Sequence, residues 1–463
     1  MGLEMANREE MSNVDRAWLR MEHPSNLMMV TSLLTTKEKL DYDDLLILLN
    51  DRLMQFDRFR QKVSYERGFL EDIYWEDVPD FDPADHISRT KLSNKSSRKE
   101  LEDLVGELMS TPLDYDKPLW HITMVENAKE GSALIIRLHH CIADGNALVR
   151  VLLSMMSNTK VKVLKRTSGK KEEKPSFLDP ITDVVLNVWV AAETIVKFSY
   201  NVITSPLKVF GWVKNAVEGS VSLGKLVFRW PDPKTILKQE LQNKKLAAWS
   251  GEISLDEIKE IRKHAGTTVN DVIVSATAGA LRSYLMKRGE DTTDMNIRAA
   301  IPVDIRRRND GFDLGNKFGL VFLSLPVGLD DSKERLIEQK KRMDDLKNSP
   351  EAFVSFLVLK SMGAAPKEIE DLVINIIGTK TSLVLTNVPG PKHPIYLAGT
   401  QVENIMFWVP QAGRVGLGVS VISYNNKVRI GVATDEKIIP DPEKIVAAFE
   451  LELQQMKKDI VLT

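Results

Sequence analysis

At 463 residues the chain has room for two or three domains of roughly 150 residues, each able to bury its own core, which excludes a short peptide module. Hydrophobic residues make up 43% and charged residues 28%, so the chain reads as globular and not as a disordered polymer. Lys and Arg total 63 against 65 for Asp and Glu, a balance that excludes a global field for nucleic acid or anionic lipid, and the one cysteine, Cys141, excludes an internal disulfide framework.

The first ten residues are acidic early and have no apolar centre, so they predict no secretory signal. No stretch reaches the roughly 18 uncharged apolar residues that span a bilayer. Together with the lone thiol these features predict a reducing, cytoplasmic setting. From Ser12 the chain alternates helical and strand patterns up to about Asn158, opening with Ser12-Asn13-Val14-Asp15, a capping-box signature ahead of Ala17, Trp18 and Leu19. An apolar strand at 134–138 runs into His139 and His140, then an Asp-Gly turn, then a helix over about 146–156.

Residues 159–182 are a Lys-rich, Ser/Thr/Gly-interrupted linker, and 183–230 combine valines and aromatics such as Trp189 and Trp212 with a small basic excess. That composition suits either an interfacial helix pair resting on lipid or helices packed between two domains. Strand-like runs follow at 296–301, 320–325, 382–385, 416–423 and 428–433, with a helix starting near Thr268 whose Val269, Val272, Ile273, Ala276 and Ala280 share a face. The expected organisation is an α/β domain over 1–158, a basic then apolar helical connector over 159–231, and a second α/β domain over 232–463.

Chemistry concentrates at His139-His140-Cys141-Ile142-Ala143-Asp144-Gly145. Successive side chains on a strand point to opposite faces, so the two histidines cannot address one cavity while the strand persists. Either one histidine works as a proton acceptor and the other supports it, or both are satisfied core residues; an imidazole of ordinary pKa ~6.5 takes a proton from a hydroxyl near neutral pH once its tautomer is fixed. Asp144 is placed to brace the loop or cap the next helix, with Arg306 as its candidate partner, and Gly145 is expected to supply a backbone conformation closed to other residues. Diverging histidines with no third ligand at helical spacing argue against a metal site, and Cys141 is expected to be a small packing residue.

The run His139 to Gly145 matches HHxxxDG, shared by the bacterial wax ester synthase/diacylglycerol acyltransferases and the condensation domains of peptide synthetases. The former are favoured by Asp15-Arg16-Ala17-Trp18-Leu19, which resembles that family's opening segment, and by Lys117-Pro118-Leu119-Trp120, which resembles its PLW motif. Thr268-Val269-Asn270-Asp271 is similar to its ND motif, Asn387-Val388-Pro389-Gly390-Pro391 to its NVPGP turn, Ser423-Tyr424 to its SY pair, and Gly315-Asn316-Lys317-Phe318-Gly319 to a further segment.

The resemblance implies a two-domain, chloramphenicol-acetyltransferase-like α/β fold with the active site in an interdomain tunnel. It further implies direct transfer of a long-chain acyl group from acyl-CoA, a co-substrate, to a fatty alcohol or diacylglycerol, with no acyl-enzyme; no resident cofactor is expected, and the poor solubility of such substrates with the apolar, slightly basic connector gives the expectation of peripheral contact with membrane or lipid bodies. On that pattern His140 is the base, Asp144 is structural and Asn270 is the candidate oxyanion donor, whereas Asp271 also fits a simple capping box with Thr268. Two other functions stay open at this point: condensation on carrier-bound substrates, and lipid binding without catalysis.

Overall fold

The computed structural model describes residues 8–66, 72–95, 97–160, 230–306, 314–347, 349, 351–411 and 413–462. The expected connector, including Trp189 and Trp212, lies outside the described residues apart from its two ends. Among the described residues, two seven-stranded mixed sheets each carry helices and each have their own apolar core, and a three-stranded sheet flanks the first.

The first sheet runs in the order Ile87–Thr90, Trp120–Ala128, Gly131–His139, Met29–Thr36, Thr400–Trp408, Tyr396–Leu397 and Met156–Ser157. Its central strand, Gly131–His139, is buried at every position, as expected for an apolar run with a neighbour on each edge and both faces covered. Register is set on both sides, with Leu134 opposite Leu34 on one neighbour and Leu138 opposite Trp120 on the other. The end of the strand, and hence His139, is therefore fixed by the sheet.

The expected runs of the second half are the cores of the strands Ile297–Asp304, Phe318–Leu325, Leu383–Pro389, Leu417–Tyr424 and Lys427–Asp435, all in the second sheet. Its helix Val269–Lys287 is buried nearly all round, so a single apolar face understates it.

Two consecutive halves do not describe the sheets. Thr400–Trp408, from the C-terminal part, pairs antiparallel with Met29–Thr36 of the first sheet, Trp408 opposite Thr31. Trp408 also meets Trp249 edge-on, with ring centroids 5.6 Å apart, and Trp249 belongs to a strand of the second sheet. An alternating strand buries its two faces against whatever lies on each side, and here the two sides are the two sheets. The halves are thereby interlocked, and the first core continues onto Ile422, Tyr424 and Ala433. No described helix is long and apolar enough to cross a membrane.

Candidate active site

His139 is the last residue of its strand and His140 the first beyond it; the two side chains have different partners, and both are buried. The Cys141 amide donates to His139 Nδ1 at 3.1 Å, so the ring proton resides on Nε2, which faces Glu22 Oε2 at 3.0 Å. Both nitrogens are committed, and His139 is a brace that ties the strand end to the loop after the first helix.

His140 has a different environment. Its ring stacks on Trp18, with centroids 4.2 Å apart and planes 20° from parallel, and Phe318 lies 5.5 Å away. Nδ1 lies 2.9 Å from Asn316 Oδ1. The orientation of that amide follows from its other contacts: Nδ2 donates to Asp15 Oδ1 at 2.7 Å and to the His140 carbonyl at 2.8 Å. The carbonyl is an acceptor only, so a flipped amide would set oxygen against oxygen there. Oδ1 must then face the ring, His140 carries its proton on Nδ1, and the Nε2 lone pair has no partner among the described residues. Burial pushes the imidazole down to about 4, with the Asp144 charge pulling partly the other way, so the ring is neutral at ordinary pH. A neutral imidazole in this tautomer can take up a proton only at Nε2.

Trp18 and Asp15 sit three residues apart on the helix Asn13–Arg20 and so share a face. Asn316 and Phe318 come from the loop and first residue of a second-sheet strand, so the site is assembled where the two halves meet. Gly315, at φ +109°, makes the turn that permits this, and a Cβ there would stand 3.5 Å from Asp15 Oδ2.

Asp144 does not touch the His140 ring. One of its oxygens accepts from the Ala147 amide at 3.0 Å as the cap of the helix Gly145–Ser154. The other accepts from the Lys317 amide at 2.9 Å and lies 2.6 Å from the Arg306 guanidinium. Arg306 also donates to the Gly315 carbonyl at 2.7 Å. The expected Asp144–Arg306 pair is present, with both side chains at most 6% exposed, and it fastens the histidine loop to the segment carrying Asn316. The expectation for Gly145 is corrected: its φ is not in the left-handed region and a Cβ there would meet nothing within 4 Å.

Cys141 is fully buried, and burial raises its thiol well above the usual range, which leaves no thiolate for attack. Cys141→Ala is expected to retain most activity, and intact mass after mixing with acyl-CoA should show no adduct; an adduct at this residue would contradict direct transfer. Asp271 forms the capping box with Thr268 and is buried there. Asn270 is tied to the NVPGP segment, its Oδ1 accepting from Asn387 Nδ2 at 3.1 Å. In that segment a Cβ on Gly390 would stand 2.2 Å from the Ser423 carbonyl, while the Tyr424 hydroxyl donates to the Val402 carbonyl at 2.8 Å. Turn and strand-end roles account for both.

Asp15 and Asn316 were not singled out from the sequence as site residues. The available signals were an acidic residue in a capping box with a second hydrogen-bonding oxygen to place, and an asparagine between a loop and a strand.

Three comparisons bear on what this arrangement belongs to. A model described as the wax ester synthase/diacylglycerol acyltransferase catalytic domain matches residues 11–273, and one described as the WS/DGAT C-terminal domain matches 314–457. A probable diacylglycerol O-acyltransferase of Mycobacterium tuberculosis is 23% identical over 423 residues, covering 89% of this chain and 87% of that protein. Among solved structures, the wax ester synthase/diacylglycerol acyltransferase of Marinobacter aquaeolei VT8 superposes with a TM-score of 0.67 at 21% identity, covering 97% of this chain and 99% of the other. The starter condensation domain of rhizomide synthetase in complex with C8-CoA gives 0.59 at 13% identity, covering 99% and 95%.

The architecture is thus the two-domain fold of the CoA-dependent acyltransferases. Within that class, the chain belongs to the wax ester synthase/diacylglycerol acyltransferase family and is an acyltransferase.

Proposed function

We propose that the protein transfers a long-chain fatty acyl group from acyl-CoA to the hydroxyl of a fatty alcohol or a diacylglycerol, with His140 as general base, no covalent acyl-enzyme and no resident cofactor. The observation that carries this reading is the unpartnered Nε2 of a buried imidazole whose Nδ1 is committed to Asn316. The donor is supported by the C8-CoA complex of a protein with this fold, and the acceptor by the names of the relatives.

In the reaction the acceptor O–H gives its proton to Nε2 as its oxygen attacks the thioester carbon. The carbonyl oxygen takes the electron pair and becomes the oxyanion. Collapse of that intermediate breaks the C–S bond, and the departing CoA thiolate takes the proton back from Nε2, leaving ester and free thiol. A thioester is already activated, so positioning, proton transfer and oxyanion stabilisation are what the protein must add. Asn387 occupies Asn270 Oδ1 and leaves the Asn270 amide hydrogens as donors, which suits the oxyanion role. Substrates of this class dissolve poorly in water, which fits peripheral contact with membrane or lipid bodies in the cytoplasm; liposome co-sedimentation measures that directly.

Thiol release from palmitoyl-CoA, with and without hexadecanol or a diacylglycerol, tests the reading. Release should depend on the acceptor and disappear in His140→Ala; release that ignores the acceptor would contradict it. The pH dependence has a definite sign. Because the base form of His140 is required and its pKa is held at about 4, kcat/KM should be level through neutral pH and fall only as pH drops towards 4. An acid limb near the ordinary ~6.5 of imidazole would mean that the ring is not buried as described.

A further inference from the structure

The carboxylate of the HHxxxDG run is engaged elsewhere, by Arg306, the Lys317 amide and the Ala147 amide. The hydrogen-bonded path from the His140 ring to a carboxylate leads instead through Asn316 to Asp15, 301 positions away in sequence. Asp15 Oδ1 accepts from Asn316 twice, from Nδ2 at 2.7 Å and from the backbone amide at 3.1 Å, and Oδ2 accepts from the Ser12 hydroxyl at 2.7 Å. The carboxylate is 5% exposed and no ion pair reaches it among the described residues. Burial raises the pKa of this carboxyl above the ordinary aspartate value, and the Asn316 and Ser12 donors, with the Arg58 charge, pull partly the other way towards the charged form. Its location gives that burial a use.

We propose that Asp15 is a positioning residue that acts through Asn316, locking the His140 proton on Nδ1 and stabilising the positive charge the ring acquires during turnover. The inference rests on His140 being the base. Before reaction the Asp15 charge polarises the Asn316 amide, so that Oδ1 is a stronger acceptor for Nδ1–H. When the acceptor proton arrives at Nε2, the imidazolium faces Oδ1, with the carboxylate behind the amide and the Trp18 face stacked against it at 4.2 Å. The proton leaves from Nε2 to the CoA sulfur, and the relay returns to its starting state without moving a proton of its own.

Asp15→Asn keeps the shape and removes the charge. Its kcat should fall by about tenfold or more, a part of the ~10²–10⁴-fold general-base contribution, while KM stays close to wild type. Its acid limb should move to lower pH, because the charge removed is the one behind the Asn316 amide, while Asp144 and His139, whose charges act on the ring directly, are unaltered.

Asn316→Ala cuts the same path, so the double variant Asp15→Asn/Asn316→Ala should lose no more than Asn316→Ala alone. Additive losses, or Asp15→Asn with unchanged kcat and unchanged acid limb, would overturn the proposal. So would failure of Asp15→Asn to fold, because Asp15 would then be a determinant of stability. Full activity in Asp15→Asn beside an inactive His140→Ala sinks this inference alone; an active, folded His140→Ala sinks the reading beneath it.

Discussion

His140→Ala is expected to lower kcat by about 10²–10⁴-fold, the range of general-base contributions, in a protein that still folds. The ring is buried between Trp18 and Phe318, so its removal leaves a gap there, yet the strand pairing and the His139 brace that position the loop are untouched. His139→Ala should behave in the opposite way. It takes the His139 ring from Glu22, which keeps the Met28 amide and Tyr115, and removes the acceptor of the Cys141 amide, so the melting temperature should fall first and activity only with it. Melting curves beside steady-state kinetics for both variants are the check. Equal kinetic loss in two fully folded variants would refute the division of labour.

The second large effect is on stability. Asp144→Ala takes the nearer carboxylate from a buried guanidinium and leaves it Asp304 at 3.5 Å, so the loss should stay below the about 3–5 kcal/mol of a buried pair broken from one side. Loss of the cap on Ala147 adds about 1 kcal/mol. Asp144→Asn retains an acceptor for the cap and should cost less. The Asp144→Ala/Arg306→Met double variant should recover part of the loss, because the Asp144–Arg306 pair is then removed from both sides, and urea denaturation of wild type, Asp144→Ala, Arg306→Met and the double variant gives the coupling energy directly. An Asp144 variant with wild-type stability and a shifted pH-rate profile would make the carboxylate an acid-base partner and not an anchor.

Much of this was legible in the sequence because it rests on local rules. An apolar strand ending at the His-His pair is legible from its run of residues, an Asp-Gly step after a strand announces a capped helix, and Thr268 to Asp271 spells its capping box. Arg306 could be matched to Asp144 because an arginine just after a strand is a natural clamp for a turn carboxylate. What escaped depends on contacts between distant segments. Asp15 reads locally as the third residue of a capping box, and its amide does donate to the Ser12 cap side chain; nothing nearby reveals that its carboxylate meets Asn316. The crossing of Thr400–Trp408 into the first sheet was hidden for the same reason, because an alternating strand states which faces it buries but not which sheet it joins. Gly145 was misjudged by analogy with turn glycines, whereas it is an ordinary first residue of a helix.

The most direct test of the account is the protonation state of one ring. In protein labelled with ¹⁵N-histidine, with His140 assigned by difference against His140→Gln, the imidazole nitrogens report which of them carries hydrogen. At neutral pH the account predicts a protonated Nδ1 and a bare Nε2 for His140, the tautomer dictated by the Asn316 amide. A proton on Nε2, or a doubly protonated ring at that pH, would contradict it.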